Sequence, residues 1–348
     1  MAMTFRTLDP MLDTRWGEFA AIHPKSSIFH QQGWLNALAQ TYGYKPMVLT
    51  SAQGDGQLSD GIVFCGISSW MTGKRLVSLP FADHCEPLTE GIYEDRLLTE
   101  WMGAERVRSG WQYFELRPVL WPAEAESALK ADRSFWLHTL DLSPSLAKLF
   151  SGLHKNCVQR RIRRAEHAGL SYERGHSEAL IDDFYRLLMM TRRRQSLIPQ
   201  PRSWFRNLVA CMYPAADIRL LRLGNVPIAS ILTLSHRRTV VYKYGCSDET
   251  YHHLGGMPWL FWKLIEESKS AGAEQIDFGR TDLDNAGLIQ FKDRLGASRR
   301  LLTYLRFPES ACGKSAVNSF LPAAKRVFSI LPDALSARIG GLLYRHIG

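Results

Sequence analysis

Gly272-Ala-Glu-Gln-Ile-Asp277-Phe-Gly-Arg280 follows directly on the stretch Met257 to Ser270, whose apolar residues recur at helical spacing. Gly272 suits the left-handed position just past a helix end, so the run predicts helix, cap and strand in that order. The same order occurs earlier in the chain: a helical stretch from Tyr93 to Ser109, then Gly110, then Trp-Gln-Tyr-Phe-Glu115-Leu-Arg117. Glycine and acid are each offset by 162 residues between the two places, and the turns at Gly56 and Gly224 by 168. Two similar offsets point to an internal duplication, so the expected fold is a mixed α/β class built from two tandem copies of one unit.

Working outward, the second copy reads as three strands, Ile218 to Leu223, Pro227 to Ser235 and Thr239 to Gly245, with a turn at Gly224-Asn225. The first reads as a mostly helical stretch from Trp16 to Tyr42, then strands at Pro46 to Thr50, Gly61 to Ile67 and Arg75 to Leu79. Pro118 to Arg133, rich in alanine, glutamate and proline, reads as the link. A basic helix from His154 to Gly169 opens the second copy. The expected units are residues 1–135 and 136–308, with a helical tail at 309–348.

A chain of 348 residues, 45% hydrophobic and 22% charged, is long enough for two such units and has the composition of a compact globular protein. Lysine and arginine outnumber aspartate and glutamate 43 to 34, a net +9 that favours polyanionic partners. Six well-separated cysteines form no Cys-x-x-Cys pair, which argues against a zinc ribbon or a disulfide framework and for a reducing compartment. Met1 to Pro10 lacks the apolar stretch of a secretory signal, and no run approaches the roughly 20 apolar residues of a membrane span, so a cytoplasmic protein is expected. In the tail, Leu335, Ile339, Leu342 and Leu343 recur at helical spacing with Arg338 and Arg345 among them. Such a stripe serves either as packing against the second unit or as a peripheral contact with the inner membrane.

The richest stretch runs from Asp277 to Gly296: a strand, a polar turn and a short basic helix carrying Lys292. Loops at strand ends in α/β sheets commonly open onto a ligand crevice, where a lysine can stabilise a developing oxyanion. The alternative is a surface helix with ordinary charge pairs. Tyr242 and Tyr244, two apart on a strand, are expected to point to one face, for a ligand or for packing. Arg192, Arg193 and Arg194 end a helix, where arginine forks suit phosphate or carboxylate and also simply complement the helix dipole. Arg160 and Arg164, one turn apart on the basic helix, suit the phosphates of RNA or of a diphosphate lipid carrier. Asp83-His84-Cys85-Glu86 groups metal-ligand residue types without zinc spacing, so no metal is expected.

Gly287-Leu-Ile-Gln-Phe-Lys292-Asp-Arg-Leu-Gly296 resembles the Phe-Lys-x-x-(Phe/Leu)-Gly signature of the Fem-type peptidyltransferases, which are tandem GNAT-fold proteins. Four further stretches agree in order: Phe29-His-Gln-Gln-Gly-Trp34, Leu79-Pro-Phe-Ala-Asp83-His-Cys-Glu-Pro87, Thr191-Arg-Arg-Arg194 and Tyr242-Lys-Tyr244-Gly-Cys-Ser-Asp248. The resemblance is nearest to the GNAT-like, Fem-related acyltransferases found beside exopolysaccharide genes. It implies transfer of an acyl or aminoacyl group to an amine of a cell-envelope glycan precursor, without metal. Lys292, Asp83 and Asp277 are then the catalytic candidates, and Trp34, Arg194, Tyr242, Tyr244 and Arg280 the substrate-binding ones.

Acyl-CoA-dependent GNAT enzymes cradle pyrophosphate on an (Arg/Gln)-x-x-Gly-x-(Gly/Ala) loop. Here the equivalent, His252-His253-Leu-Gly255-Gly256-Met257-Pro258, keeps only Gly255 and Gly256 as cofactor-binding candidates. The donor is accordingly acyl-CoA or aminoacyl-tRNA, and the acceptor an anionic glycan-lipid or nucleotide sugar. The alternatives are acyl-CoA-dependent N-acylation of a sugar amine, and a non-enzymatic module binding RNA or glycan.

Overall fold

The computed structural model describes residues 5–89, 95–121, 128–312 and 333–347. Two compact units emerge. The first takes the described residues up to 134 together with 302–312 and 341–347, and the second takes 135–301 together with 333–340.

In the first unit the strands lie in the order β1 (Arg6–Leu8), β2 (Lys45–Thr50), β3 (Ile62–Ser69), β4 (Gly73–Val77), β5 (Tyr113–Leu116) and β12 (Ser298–Phe307). Neighbours pair antiparallel except β4 and β5, which run parallel from Arg75↔Tyr113 to Val77↔Glu115. The chain between them carries α3 (Asp95–Ser109), as a parallel crossover requires. The expected long helix near the start is broken: α1 (Thr14–Ile22) stops before Pro24, and α2 (Gln32–Tyr42) restarts after a short turn capped by Ser27. Proline cannot continue the hydrogen-bond ladder, and the Ser27 hydroxyl accepts from the Phe29 N–H at the start of the turn that leads into α2. Phe64, Leu76, Met102, Phe114 and Leu116 are fully buried at the centre of this unit.

The second unit repeats the arrangement. Its strands lie in the order β6 (Lys130–Asp141), β11 (Gln275–Asp282), β10 (Thr239–Ser247), β9 (Val226–His236), β8 (Ala216–Leu223) and β7 (Leu170–Gly175). Again one parallel pair, β10 with β11, sits among antiparallel ones, with α8 (Gly256–Ser270) as its crossover. On one face of this sheet α8 packs with α4 (Leu146–Gly152) and α5 (Arg160–Glu166) around Leu260, Phe261, Leu264 and Ile276. The amphipathic helices α6 (Glu178–Arg194) and α7 (Arg202–Cys211) contribute Phe184, Trp204 and Phe205 as buried side chains. Among the described residues the remaining α-helices are α9 (Ala286–Arg294) and α10 (Asp333–Ile347).

The duplicated pattern in the sequence is therefore one topology realised twice, and the strand after each parallel pair comes from the other half of the chain. β5 is flanked by the late strand β12, with Leu305 opposite Leu116, and β11 by the early strand β6, with Leu140 opposite Ile276. The stretch expected to link the units thus ends inside β6, which starts at Lys130.

Candidate functional site

β10 and β11 pair only over Thr239–Val241 with Gln275–Asp277, and beyond these residues the two strands part. Two irregularities mark the opening. In β10 the register against β9 shifts between Tyr242 and Tyr244, leaving Lys243 as an extra residue. In β11 the register against β6 shifts between Asp277 and Arg280, where Gly279 takes φ 70°. Bulges bend a strand and re-aim its side chains, and they concentrate beside active sites.

The β10 bulge corrects one expectation. With an extra residue between them, Tyr242 and Tyr244 pair with adjacent residues of β9, Thr233 and Leu232, and so turn to opposite faces. Tyr242 packs edge-on against Phe261 of α8, with ring centroids 4.8 Å apart, and its hydroxyl lies over Gly245 beside the opening. Burial pushes that hydroxyl above its ordinary pKa. Tyr244 is buried on the other side, where its hydroxyl accepts from Trp204 Nε1 at 2.9 Å and its ring meets Phe205. Only Tyr242 belongs to the opening.

Lys292 of α9 reaches back to the β11 bulge. Its Nζ donates to the carbonyls of Gly279 at 3.0 Å and Arg280 at 3.1 Å, and to Thr281 Oγ1 at 2.8 Å. An ammonium has three N–H groups, and three protein acceptors take them. The helix is the surface helix of the alternative reading, but Lys292 is its one buried residue, 3% exposed, with its ammonium turned onto the β11 bulge. Asp277, expected as a base, is likewise part of the knot: its Oδ1 accepts the Gly279 N–H at 2.7 Å from a position 4% exposed. Arg280 lays its guanidinium over the Phe135 ring at 4.3 Å.

No motif in the chain singles out His138, which sits on β6 fully buried behind this knot. Its Nδ1 lies 3.5 Å from Thr281 Oγ1 and its Nε2 3.6 Å from Asp293. Burial first, and then the Lys292 charge, bring its pKa down to about 4. A single histidine in a strand pattern is an ordinary core residue, so no sequence signal marks it.

A cavity of about 280 Å³ opens beside the end of β10. Gly256, Met257 and Pro258, the first turn of α8, form one wall, and Val158 and Arg161 of the basic segment another. Ser247, Asp248 and His252 form the rim, and Gly287, Phe291 and Arg294 of α9 and its approach complete it. The first-turn N–H groups of a fifteen-residue helix have no intrahelical acceptor and carry the positive end of its dipole, which favours an anion. Gly255, the N-cap, has φ 81°, and a Cβ there would stand 2.3 Å from the Arg161 carbonyl oxygen, so glycine lets α5 and α8 close up.

Around the rim Arg194 Nη1 donates to the Ser247 carbonyl at 3.2 Å, and Ser247 Oγ meets His252 Nε2 at 2.8 Å. Burial, then Arg194, hold the His252 imidazole below its ordinary pKa. Arg160, Arg161 and Arg163 are exposed, and among the described residues none of them has an ion-pair partner. Arg164 gives Nη1 to the His253 carbonyl at 3.0 Å. By contrast Arg174, Arg202, Arg206 and Arg222 of the same unit are all matched with carboxylates.

The remaining candidates belong to the first unit. Trp34, expected to bind substrate, is 0% exposed and packs edge-on against Phe29 at 4.9 Å. Asp83 stands in a loop under backbone strain, with Leu79 at φ 56° and Phe81 at φ 61°. Non-glycine residues hold such angles only where surroundings over-determine them. Arg117 does so by donating to the carbonyls of Leu79 at 2.7 Å and Ala82 at 3.1 Å, and Tyr304 by donating to the Asp83 carbonyl at 2.6 Å. No three metal-ligating side chains cluster among the described residues.

Residues 154–292 match the acetyltransferase (GNAT) domain family. The fold is similar to the crystal structure of FemX, at 12% identity over 92% of this chain and 100% of that one, with a TM-score of 0.66. It is also similar to the C-terminal domain of a protein assigned as a lysylphosphatidylglycerol synthetase from Agrobacterium fabrum (13% identity, 89% and 96% covered, TM-score 0.57). A tandem GNAT protein from the clavulanic acid biosynthesis pathway gives 10% identity, 87% and 97% covered, and a TM-score of 0.55. No curated protein matches in sequence.

Proposed function

We propose that this chain, a FemAB-like acyltransferase of GNAT type, moves an acyl or aminoacyl group onto an amine of a cell-envelope glycan precursor. The observation that carries the reading is the cavity at the first turn of α8, beside the end of β10 and beyond the point where β10 and β11 stop pairing. The helix start takes the phosphate of the donor, and the acyl end lies along the opening past Tyr242. There backbone N–H groups freed from the β10–β11 ladder are donors for the oxyanion that forms when the amine attacks the acyl carbon; its collapse breaks the bond to the donor and expels the tRNA ribose hydroxyl, or the CoA thiol, which leaves with the proton the amine gives up. Lys292 and Asp277 act by fixing the shape of the β11 edge, and proximity supplies much of the rest.

The exposed arginines without carboxylate partners favour aminoacyl-tRNA as donor, because a polynucleotide engages charges well outside a 280 Å³ cavity whereas a pyrophosphate does not. The cavity itself is equally compatible with acyl-CoA, the second reading, in which the acceptor is a sugar amine. Titrating the full chain with charged tRNA or acetyl-CoA while following its melting midpoint separates the two, since a ligand of the folded state alone raises it. Changing Arg160, Arg163 and Arg164 together to Ser is expected to weaken tRNA about tenfold or more and to flatten its salt dependence, while sparing acetyl-CoA. If neither donor raises the midpoint, the proposed donor site is wrong.

A further inference from the structure

The hairpin between β3 and β4, in the first unit, ends in Ser69-Trp70-Met71-Thr72 with Trp70 86% exposed, a position that tryptophan's large apolar ring makes costly in water. The tip does not wave freely. Thr72 Oγ1 and Arg75 Nη2 both donate to the His346 carbonyl near the end of α10, at 2.7 and 2.9 Å, and Tyr44 donates to the Tyr344 carbonyl at 2.9 Å. The Trp70 and His346 rings meet edge-on at 6.0 Å. Leu342, 63% exposed and one helical turn before His346, continues the strip along the same face of α10.

We infer that this strip is a docking surface for an anionic lipid bilayer, with the Trp70 tip and Leu342 entering the headgroup boundary. Three observations select that occupant. The indole stands on a convex hairpin tip, a shape that a soft interface accepts and that leaves little for a folded partner to grip. Exposed Lys74 opens the return strand and exposed Arg345 flanks His346, and neither Gly66 to Val77 nor Ala334 to Ile347 contains an acidic residue. Aromatic rings with cations around them are the residue types that settle at a lipid–water boundary. Such a surface does not depend on which donor or acceptor the enzyme uses.

The test is density-gradient flotation of the full chain with vesicles of phosphatidylglycerol and phosphatidylethanolamine, and with vesicles of phosphatidylcholine alone. The chain is expected to float with the anionic vesicles and about tenfold less with the neutral ones. Trp70→Ser and Leu342→Gln together are expected to lower binding about tenfold at an unchanged melting midpoint, and Lys74→Glu with Arg345→Glu to abolish the preference for anionic lipid. A wild-type chain that stays with the soluble fraction, or equal flotation of the Trp70→Ser/Leu342→Gln variant, overturns the inference. A dimer in lipid-free solution that Trp70→Ser makes monomeric overturns it too, by giving the strip to a second copy.

Discussion

The Lys292 ammonium donates to the Gly279 carbonyl at 3.0 Å, across the bulge that ends the pairing of Asp277 and opens β11. From the sequence, truncating Lys292 is expected to stop turnover while sparing the fold. The geometry changes that expectation. Lys292→Met removes the donor from two carbonyls and the Thr281 hydroxyl around a position 3% exposed, and unsatisfied buried acceptors cost about 2–4 kcal/mol together. The variant is therefore expected to lose both stability and transfer, measured by urea unfolding and by turnover well below the melting midpoint. A variant as stable as the wild type shows that these bonds do not hold the bulge.

His138 predicts a pH dependence of stability. Its folded pKa is about 4, below the ordinary value of 6.5, so below 6.5 the unfolded chain binds a proton that the native one refuses. The contribution is complete above pH 6.5 and is lost as pH falls towards 4, amounting to about 3 kcal/mol. Relative to His138→Gln, which has no proton to take up there, the wild type should lose about 3 kcal/mol of unfolding free energy between pH 7.5 and 4. Parallel curves would mean that the imidazole titrates normally.

The topology was readable because its signals are local: each glycine cap lies between a periodic helix and a strand, and two copies support one another. β6 escaped because its first half continues a polar, alanine- and proline-rich run, and its pairing with β11 depends on a partner far along the chain. Helix-end chemistry written into the sequence singles out Gly255, Gly256 and Arg194; Gly256 stands in the cavity wall, and Arg194 donates to the Ser247 carbonyl of its rim. The site was misread at Tyr242 and Tyr244, because one extra residue in β10 reverses the alternation on which the same-face argument rests. Trp34, at the end of a family-like motif, is buried, as aromatic residues in a helical pattern most often are.

Gly255 predicts an effect on both packing and binding. Gly255→Ala meets a left-handed backbone at φ 81° and the Arg161 carbonyl oxygen 2.3 Å from the new methyl, and that oxygen belongs to a helix that cannot swing aside as a flexible side chain would. The expected cost is about 2 kcal/mol or more, with α5 displaced from the start of α8 and donor affinity reduced at least about tenfold. Calorimetry of donor binding at a temperature where the variant is fully folded measures this. Normal affinity would remove the first turn of α8 from the donor site.

Glu115 is the counterpart of Asp277 in the first unit, and its environment is the reverse. Its carboxylate, 2% exposed, pairs with Arg117 at 2.8 Å, Arg306 at 3.1 Å and Arg133 at 3.2 Å. Burial alone would raise its pKa, but the three guanidinium groups outweigh it and bring the carboxyl down to about 2. Its stabilising contribution is therefore present above the ordinary 4.5 and is lost only as pH falls towards 2. Glu115→Gln leaves Arg117 buried without its carboxylate and Arg306 with Asp132 at 2.8 Å, and breaking one side of such a buried pair costs about 3–5 kcal/mol. Because Arg117 also fixes the strained Leu79 to Ala82 carbonyls, the variant is expected to loosen the Asp83 loop, seen as faster amide exchange there. Exchange that quickens uniformly over the unit, with no excess in that loop, would show that the ion network supports the fold in general and not the loop.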